Sequence, residues 1–326
     1  MSTFAAVLSA LKAAGEPTRL RLMAALSHAE LTVTELTQVL GQSQPRISRH
    51  LKLLCDAGLV DRFREGAWAF YRLADKNAGG EAARFITQNL PADDPALRAD
   101  FERLATVRRA RQEAASAYFK ANAKEWARIR ALHVAEADVE AAALKLAGEK
   151  PIPMLLDLGT GTGRMLEVFA PHVERGIGID QSREMLGMAR ANLEKAGINN
   201  CSVRLGDIYR LPFESGAGAD AAVIHQVLHY LEDPGAAVAE AARVLRPGGR
   251  IVIADFAPHE LEFLREAHAH RRLGFADAEL KQWAEAAGLT VARSQALPGD
   301  KLTVKLWLLT APAKSGAKAA RAEAAR

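Results

Sequence analysis

At 326 residues the chain is long enough for two ordinary domains, and 49% hydrophobic with 25% charged residues is the balance of a globular protein. No apolar run reaches the roughly 18 residues of a membrane span and no signal-peptide pattern appears, so a cytoplasmic protein without membrane association is expected. The formal charge is +4, and residues 1–78 hold ten Lys and Arg against seven Asp and Glu, a positive excess that fits a polyanionic partner for the head of the chain.

In chain order, Phe4 to Ala14 and Pro17 to Ser27 carry apolar residues at helical spacing, and Pro17 suits a first helical turn. Leu31 to Gly41 reads as a short helix ended by glycine. Ser43 to Leu54 follows as a second helix, with Ser43 as N-cap and Pro45 in its first turn. A short helix, a turn and a polar-faced helix make a helix-turn-helix. On the second helix Ile47, Leu51 and Leu54 form the buried stripe. Ser43, Gln44, Arg46, Ser48, Arg49, His50 and Lys52 remain for the outer face, where such groups meet base edges and phosphates. Val60 to Phe63 and Trp68 to Leu73 flank Glu65-Gly66 as a hairpin, the wing.

The run Glu16-Pro17-Thr18-Arg19-Leu20-Arg21-Leu22, with Ser43 to Leu54 and Ala57-Gly58-Leu59-Val60, resembles the ArsR/SmtB family of winged-helix repressors over about residues 5 to 75. The resemblance implies a homodimer on a double-stranded, pseudo-palindromic DNA operator, with helices flanking the wing at the dimer interface. It departs from the metal-sensing members: residues 32–41 contain no cysteine and residues 79–117 no histidine. No metal site is therefore expected, and Cys55 and Cys201 offer neither a zinc set nor a disulfide framework.

Asn77 to Asp94 holds glycines, a proline and two adjacent aspartates, the composition of a boundary. Pro95 to Ala147 is alanine-rich and helical in period; Arg108, Arg109 and Arg111 read as a solvated face ahead of a DNA contact.

Met154 to Leu158 is a short apolar run suited to a buried parallel strand, followed by Gly159, Gly161 and Gly163 at alternate positions and a helix start at Met165. Glycines there let the main chain turn tightly and let a ligand approach it. The spacing departs from G-x-G-x-x-G because Arg164 stands where the last glycine would be, and Asp157 is a poor companion for phosphate. A nucleoside without pyrophosphate fits better, with Asp157 facing a positive centre or a water held near it. Further strands follow at Arg175 to Asp180, Ser202 to Ile208, Asp220 to Gln226 and Arg250 to Phe256, the last preceded by a helix that Arg246-Pro247-Gly248-Gly249 closes. Strands alternating with helices make a parallel sheet with ligands at the strands' carboxyl ends. Ala276 to Gly288 reads as a helix, and Leu289 to Leu297 with Leu302 to Thr310 as a closing antiparallel hairpin.

Leu-Asp-Leu-Gly-Thr-Gly-Thr-Gly, then Gly-Ile-Asp, Gly-Asp and Val-Leu-Arg-Pro-Gly-Gly, resembles the class I S-adenosylmethionine-dependent methyltransferases over about residues 118 to 310. The resemblance implies S-adenosyl-L-methionine as cofactor. Asp157, Gly159, Thr160, Gly161 and Gly163 would lie by the methionine part, Asp180 and Gln181 at the ribose, Asp207 and Ile208 at the adenine, and His225 and Gln226 at the fourth strand's end. Tyr118 would lie on a covering helix. His259, Glu262 and His268 are weak catalytic candidates, His268 and His270 being expected on different sides of a helix; His229 reads as strand-end packing.

The expected fold is thus two domains, an α+β winged helix-turn-helix followed by an α/β Rossmann-like sheet with a terminal antiparallel hairpin. Its divisions are 1–78 for DNA binding, 79–117 as helical linker and dimerisation region, 118–310 for the methyltransferase and 311–326 as a disordered basic tail. The expected function is a regulator that also methylates an unidentified acceptor. Its rival is a repressor that only senses S-adenosylmethionine or S-adenosylhomocysteine.

Overall fold

The structure is a computed structural model describing residues 4–65, 68–74, 78–91, 93–130, 135–215, 218–268 and 270–313, with the side chains of 6, 65, 68, 112, 114–130, 266 and 267 outside that description. Two compact units divide at Ser116 and Ala117.

The first unit contains α1 (Phe4–Ala14), α2 (Pro17–Leu26), β1 (Leu31–Thr32), α3 (Val33–Leu40), α4 (Gln44–Asp56), β2 (Val60–Glu65), β3 (Trp68–Leu73), α5 (Ala78–Gln88) and the start of α6 (Pro95–Arg130). Glu16 caps α2 by accepting from the Arg19 amide at 2.9 Å, and Pro17 opens its first turn. The helix expected from Leu31 instead starts at Val33. Leu31 and Thr32 pair antiparallel with Tyr71 and Phe70 of the wing, and Thr32 with Glu35 then forms a capping box. One threonine thus ends a strand and begins a helix. Ser43 stands at the N-cap of α4, but its hydroxyl makes no capping bond; Pro45 sets the helical start. Ile47, Leu51 and Leu54 are fully buried with Leu22, Met23, Leu36 and Val39. Each contributes roughly 1.5–3 kcal/mol of burial.

This unit extends past residue 78 because its core does: Ala83 of α5 and Leu104 of α6 close the same cluster. Polar clamps reinforce the join. Asp100, 1% exposed, takes both arms of Arg21 at 2.6 Å, and Arg103 reaches the Val39 carbonyl. The arginines expected on a solvated face divide. Arg111 donates to Glu35 at 2.8 Å and to the Glu30 carbonyl at 3.0 Å, Arg108 donates to the His28 carbonyl at 2.8 Å, and Arg109 is exposed. Two of the three are spent on holding α6 against the segment around α3.

The second unit runs α7 (Glu136–Ala147), β4 (Ile152–Leu158), α8 (Arg164–Phe169), β5 (Val173–Asp180), α9 (Arg183–Lys195), β6 (Cys201–Leu205), β7 (Ala219–His225), α10 (Pro234–Val244), β8 (Leu245–Phe256), α11 (Phe263–His268), α12 (Asp277–Ala286), β9 (Thr290–Pro298) and β10 (Thr303–Thr310). The sheet order is β6-β5-β4-β7-β8-β10-β9, parallel except for β10, which lies antiparallel between β8 and β9. Helices cover both faces over two apolar clusters, one under α7, α8 and α9, the other under α10 and α12. Leu155, Ala222, Val223, Ile224 and Val252 have 1% exposure or less, as near-continuous apolar strands between helical layers require. Arg246 to Gly249, expected to close a helix, already belongs to β8, with Gly248 at φ +76. The expected disordered tail lies outside the described residues from 314 onward. Among the described residues no helix is long and apolar enough to cross a membrane.

Candidate functional sites

The outer face of α4 presents Gln44, Arg46, Ser48, Arg49 and Lys52 exposed, with Ser43 exposed at its start. His50 is different: its Nδ1 lies 3.6 Å from Glu16 and the side chain is 13% exposed, because its position on the helix faces the N-terminus of α2. Cys55 is half-buried, and burial pushes its thiol up to about 11, away from reactivity.

In the second unit β4 ends at Leu158 and the chain turns over Gly159, Gly161 and Gly163, at φ +74, +52 and +81. The two outer glycines are needed for packing. A Cβ at Gly159 would lie 2.5 Å from Val227 and one at Gly163 3.1 Å from Ala189. At Gly161 nothing stands within 4 Å, so the middle of the loop lies open to a ligand. The Gly161 amide donates to Asp180 at 2.8 Å, and the other Asp180 oxygen accepts from Ser182 N at 2.8 Å. This carboxylate is aimed by backbone donors yet keeps lone pairs for further partners.

Asp157 is 1% exposed and accepts from the Thr160 hydroxyl at 2.5 Å. Burial, with Asp180 nearby, pushes its pKa up to about 7 despite that bond. Arg164, in the last-glycine position, forms a bidentate pair with Glu140 of α7 at 2.7 and 2.8 Å and reaches Glu167 at 3.0 Å. Glu140 went unseen in the sequence, where it is the last of three carboxylates, after Glu136 and Asp138, in an alanine-rich helix.

These elements enclose a cleft of ≈ 1060 Å³. It brings together Asp157, Gly159, Thr160, Gly161, Asp180, His225 and Gln226, and adds Glu140, Arg164, Met185, Val227 and Tyr230. Gly163 and Gln181 do not line it, nor do Asp207 and Ile208. Gln181 donates to Asp207 at 3.0 Å just past Asp180, and Ile208 is buried beside them. The Tyr118 side chain lies outside the described residues. None of His259, Glu262 and His268 lines the cleft. His259 Nδ1 accepts from Leu261 N, Glu262 is exposed opposite Arg265, and His268 is buried. Helix α11 stops at His268, so His270 is not on a helix face; its ring lies tilted 4.1 Å from His229 and stacks on Phe256 at 5.9 Å. Burial beside His229 drives the His270 pKa down to about 3. His229, read as strand-end packing, is buried in a short 3-10 turn (Leu228–Tyr230) past the end of β7, and its Nδ1 lies 2.8 Å from the fully buried Asp255. Among the described residues no group of three or more His, Cys, Asp or Glu is placed to hold a metal.

Comparison with known proteins decides the two assignments. Residues 16–62 match the model of the bacterial regulatory protein arsR family, and residues 156–253 match a methyltransferase domain. The chain joins an arsR-family helix-turn-helix to a methyltransferase domain. An uncharacterised methyltransferase of Schizosaccharomyces pombe is 42% identical over 110 residues, 31% of this chain and 39% of that protein. A demethylmenaquinone methyltransferase of Thermus thermophilus is 40% identical over 121 residues, 36% of this chain and 53% of that one. The chain therefore spans about two fifths to half of the length of these relatives. A solved methyltransferase-type structure from Bacillus halodurans, 18% identical, covers 53% of this chain and 98% of its own at a TM-score of 0.49.

Proposed function

We propose that this chain is a DNA-binding transcriptional regulator whose second unit binds S-adenosyl-L-methionine and transfers its methyl group to a separate acceptor. The observation that carries the reading is the open cradle at Gly161, set beside the oriented Asp180 carboxylate within one cleft. The lining suits a sulfonium: Glu136, Glu140, Asp157, Glu167 and Asp180 outnumber Arg164 and Lys195. Bound there, the cofactor would supply an electrophilic methyl group. The chain's own part is alignment and exclusion of water, the larger share of catalysis in such a displacement. Asp180, with Gln181 after it, would hold the ribose hydroxyls, Asp207 and Ile208 the adenine, and the glycine loop with Thr160 and Asp157 the methionine portion. Tyr118 would complete the cover.

In the first unit the exposed face of α4 would enter a major groove, Arg46, Arg49 and Lys52 meeting phosphates or guanine edges. A homodimer is supported by an uncovered apolar stripe, Phe4, Val7, Leu8 and Leu11 on α1 with Phe85 on α5, all at least 40% exposed. The deciding experiment is calorimetric titration with S-adenosylmethionine and S-adenosylhomocysteine, then operator affinity for the DNA upstream of its own gene with and without each. No binding of either nucleoside would refute the reading.

A second reading, a metabolite-sensing repressor without turnover, is favoured by one observation: the expected bases His259, Glu262 and His268 stand away from the cleft. It requires that ligand binding differ between DNA-bound and free states. Unchanged operator affinity at saturating ligand would remove it.

A further inference from the structure

We propose that Gln226 and Tyr230 form the acceptor side of the cleft and take a planar, uncharged molecule through its carbonyl or phenolic oxygen. The proposal rests on the methyltransferase reading and specifies its missing substrate class.

Gln226 stands one residue past β7 and is the non-glycine residue with positive φ, +53, among those described. Its amide donates to the Ala254 carbonyl at 2.7 Å, so the end of β8 pins a conformation that costs an L-residue roughly 1–2 kcal/mol. The same bend lays Val227 against Gly159 and leaves Gln226 on the cleft wall. Its Nε2 is shielded from solvent and meets no hydrogen-bond partner among the described residues, and the broad terminal torsion of a glutamine lets the carboxamide turn to present that donor to a ligand in the cleft. An unmade bond to a shielded amide costs about 1–3 kcal/mol. Backbone strain and an unsatisfied donor thus fall on one residue, at the carboxyl end of a central strand where open α/β sheets bind ligands. The glycine loop and Asp180 already offer the groups a nucleoside needs, and the Gln226 carboxamide is surplus to them.

Four residues on, Tyr230 lines the same cleft with 44% of its surface exposed. Its ring is backed by His229 at 4.1 Å and His270 at 5.3 Å, and Asp255 fixes His229 from below. The result is a firm aromatic wall beside a neutral donor. The lining cations Arg164 and Lys195 belong to α8 and α9, not to this end. A planar, uncharged molecule with an oxygen acceptor matches this surface better than a phosphate-bearing one.

The test uses the full chain, ¹⁵N-labelled and saturated with S-adenosylhomocysteine, titrated with phenol as oxygen-bearing probe and toluene as apolar control. Phenol should move the Gln226 side-chain amide resonances and toluene should not. Gln226→Leu should weaken phenol about threefold to tenfold, the worth of one neutral hydrogen bond. Tyr230→Phe should retain phenol binding and Tyr230→Ala lose it, because the ring supplies the stacking. Equal responses to phenol and toluene, or an unmoved Gln226 amide, would overturn the proposal. So would loss of S-adenosylhomocysteine binding in Gln226→Leu with phenol binding intact, since the amide would then serve the cofactor. Failure of the wild-type chain to bind S-adenosylhomocysteine strikes the methyltransferase reading instead, and phenol titration of the free protein still decides the role of Gln226.

Discussion

On α4 the polar side chains proposed for DNA project from one 13-residue helix into solvent, each placed by helical period alone. The cleft draws its lining from α7, β4, the glycine loop, α8, β5, α9 and the end of β7. The first surface is a property of one element laid over a core; the second exists only where several elements meet. Damage should therefore be local and graded on α4, but steep and dependent on packing in the cleft.

The largest expected effect probes the packed side. Gly159→Ala drives a methyl into Val227 and a non-glycine residue into φ +74. Overpacking with left-handed strain costs about 2–5 kcal/mol, so S-adenosylhomocysteine affinity by calorimetry should fall at least tenfold and thermal stability with it. An unperturbed Gly159→Ala protein would mean that the loop is not held as described. Next, Asp100→Ala leaves the Arg21 guanidinium without its bidentate partner. Arg21 is partly exposed, so the loss should sit near about 3 kcal/mol, the low end for broken buried pairs, read as a lower chemical-denaturation midpoint for the first unit.

The α4 side should respond differently. Arg46→Ala and Arg49→Ala should each weaken operator binding by about 1–3 kcal/mol where a base edge is read, and lower the salt slope by about 1 where a phosphate is met. Folding should be unchanged, because both side chains are exposed. His50→Ala should have a smaller effect on DNA than either arginine, since His50 faces Glu16. A loss as large as that of Arg49→Ala would place His50 back on the DNA face.

The last effect is electrostatic and is spread over several pH units. The Asp157 carboxyl, raised to about 7 in the fold by burial, keeps a proton that the unfolded chain releases near pH 4. Stability from this group is greatest below that lower value and declines as pH rises through about 7. Asp157→Asn should flatten this part of the pH profile of chemical denaturation. Because only the ionised form attracts a sulfonium, affinity for S-adenosylmethionine relative to S-adenosylhomocysteine should rise across pH 7, and a ratio independent of pH would remove Asp157 from that role.

Much of this was legible before the structure. The strands, the three positive-φ glycines and the buried stripe of α4 follow from period and residue type, since an isolated strand or helix face already encodes which side must leave water. Ser43 stands at the N-cap as its residue type suggests, yet without a capping bond, because cap propensity says which residue can cap and not whether its hydroxyl is used. Arg108 and Arg111 misled because a charged helical face looks the same whether it meets water or a neighbouring carbonyl.

What the sequence alone determined, then, is the order of two units and the signals on which the proposed sites rest, because those signals are local: glycine spacing, strand-end carboxylates and a polar-faced helix. Tertiary structure decided the rest. It moved His259, Glu262 and His268 away from the cleft, brought Glu140 to Arg164 and Asp255 to His229 across long stretches of chain, and bent Gln226 into strain with a side-chain Nε2 that meets no hydrogen-bond partner among the described residues. Contacts between residues far apart in sequence are set by how layers pack, and no local pattern records them.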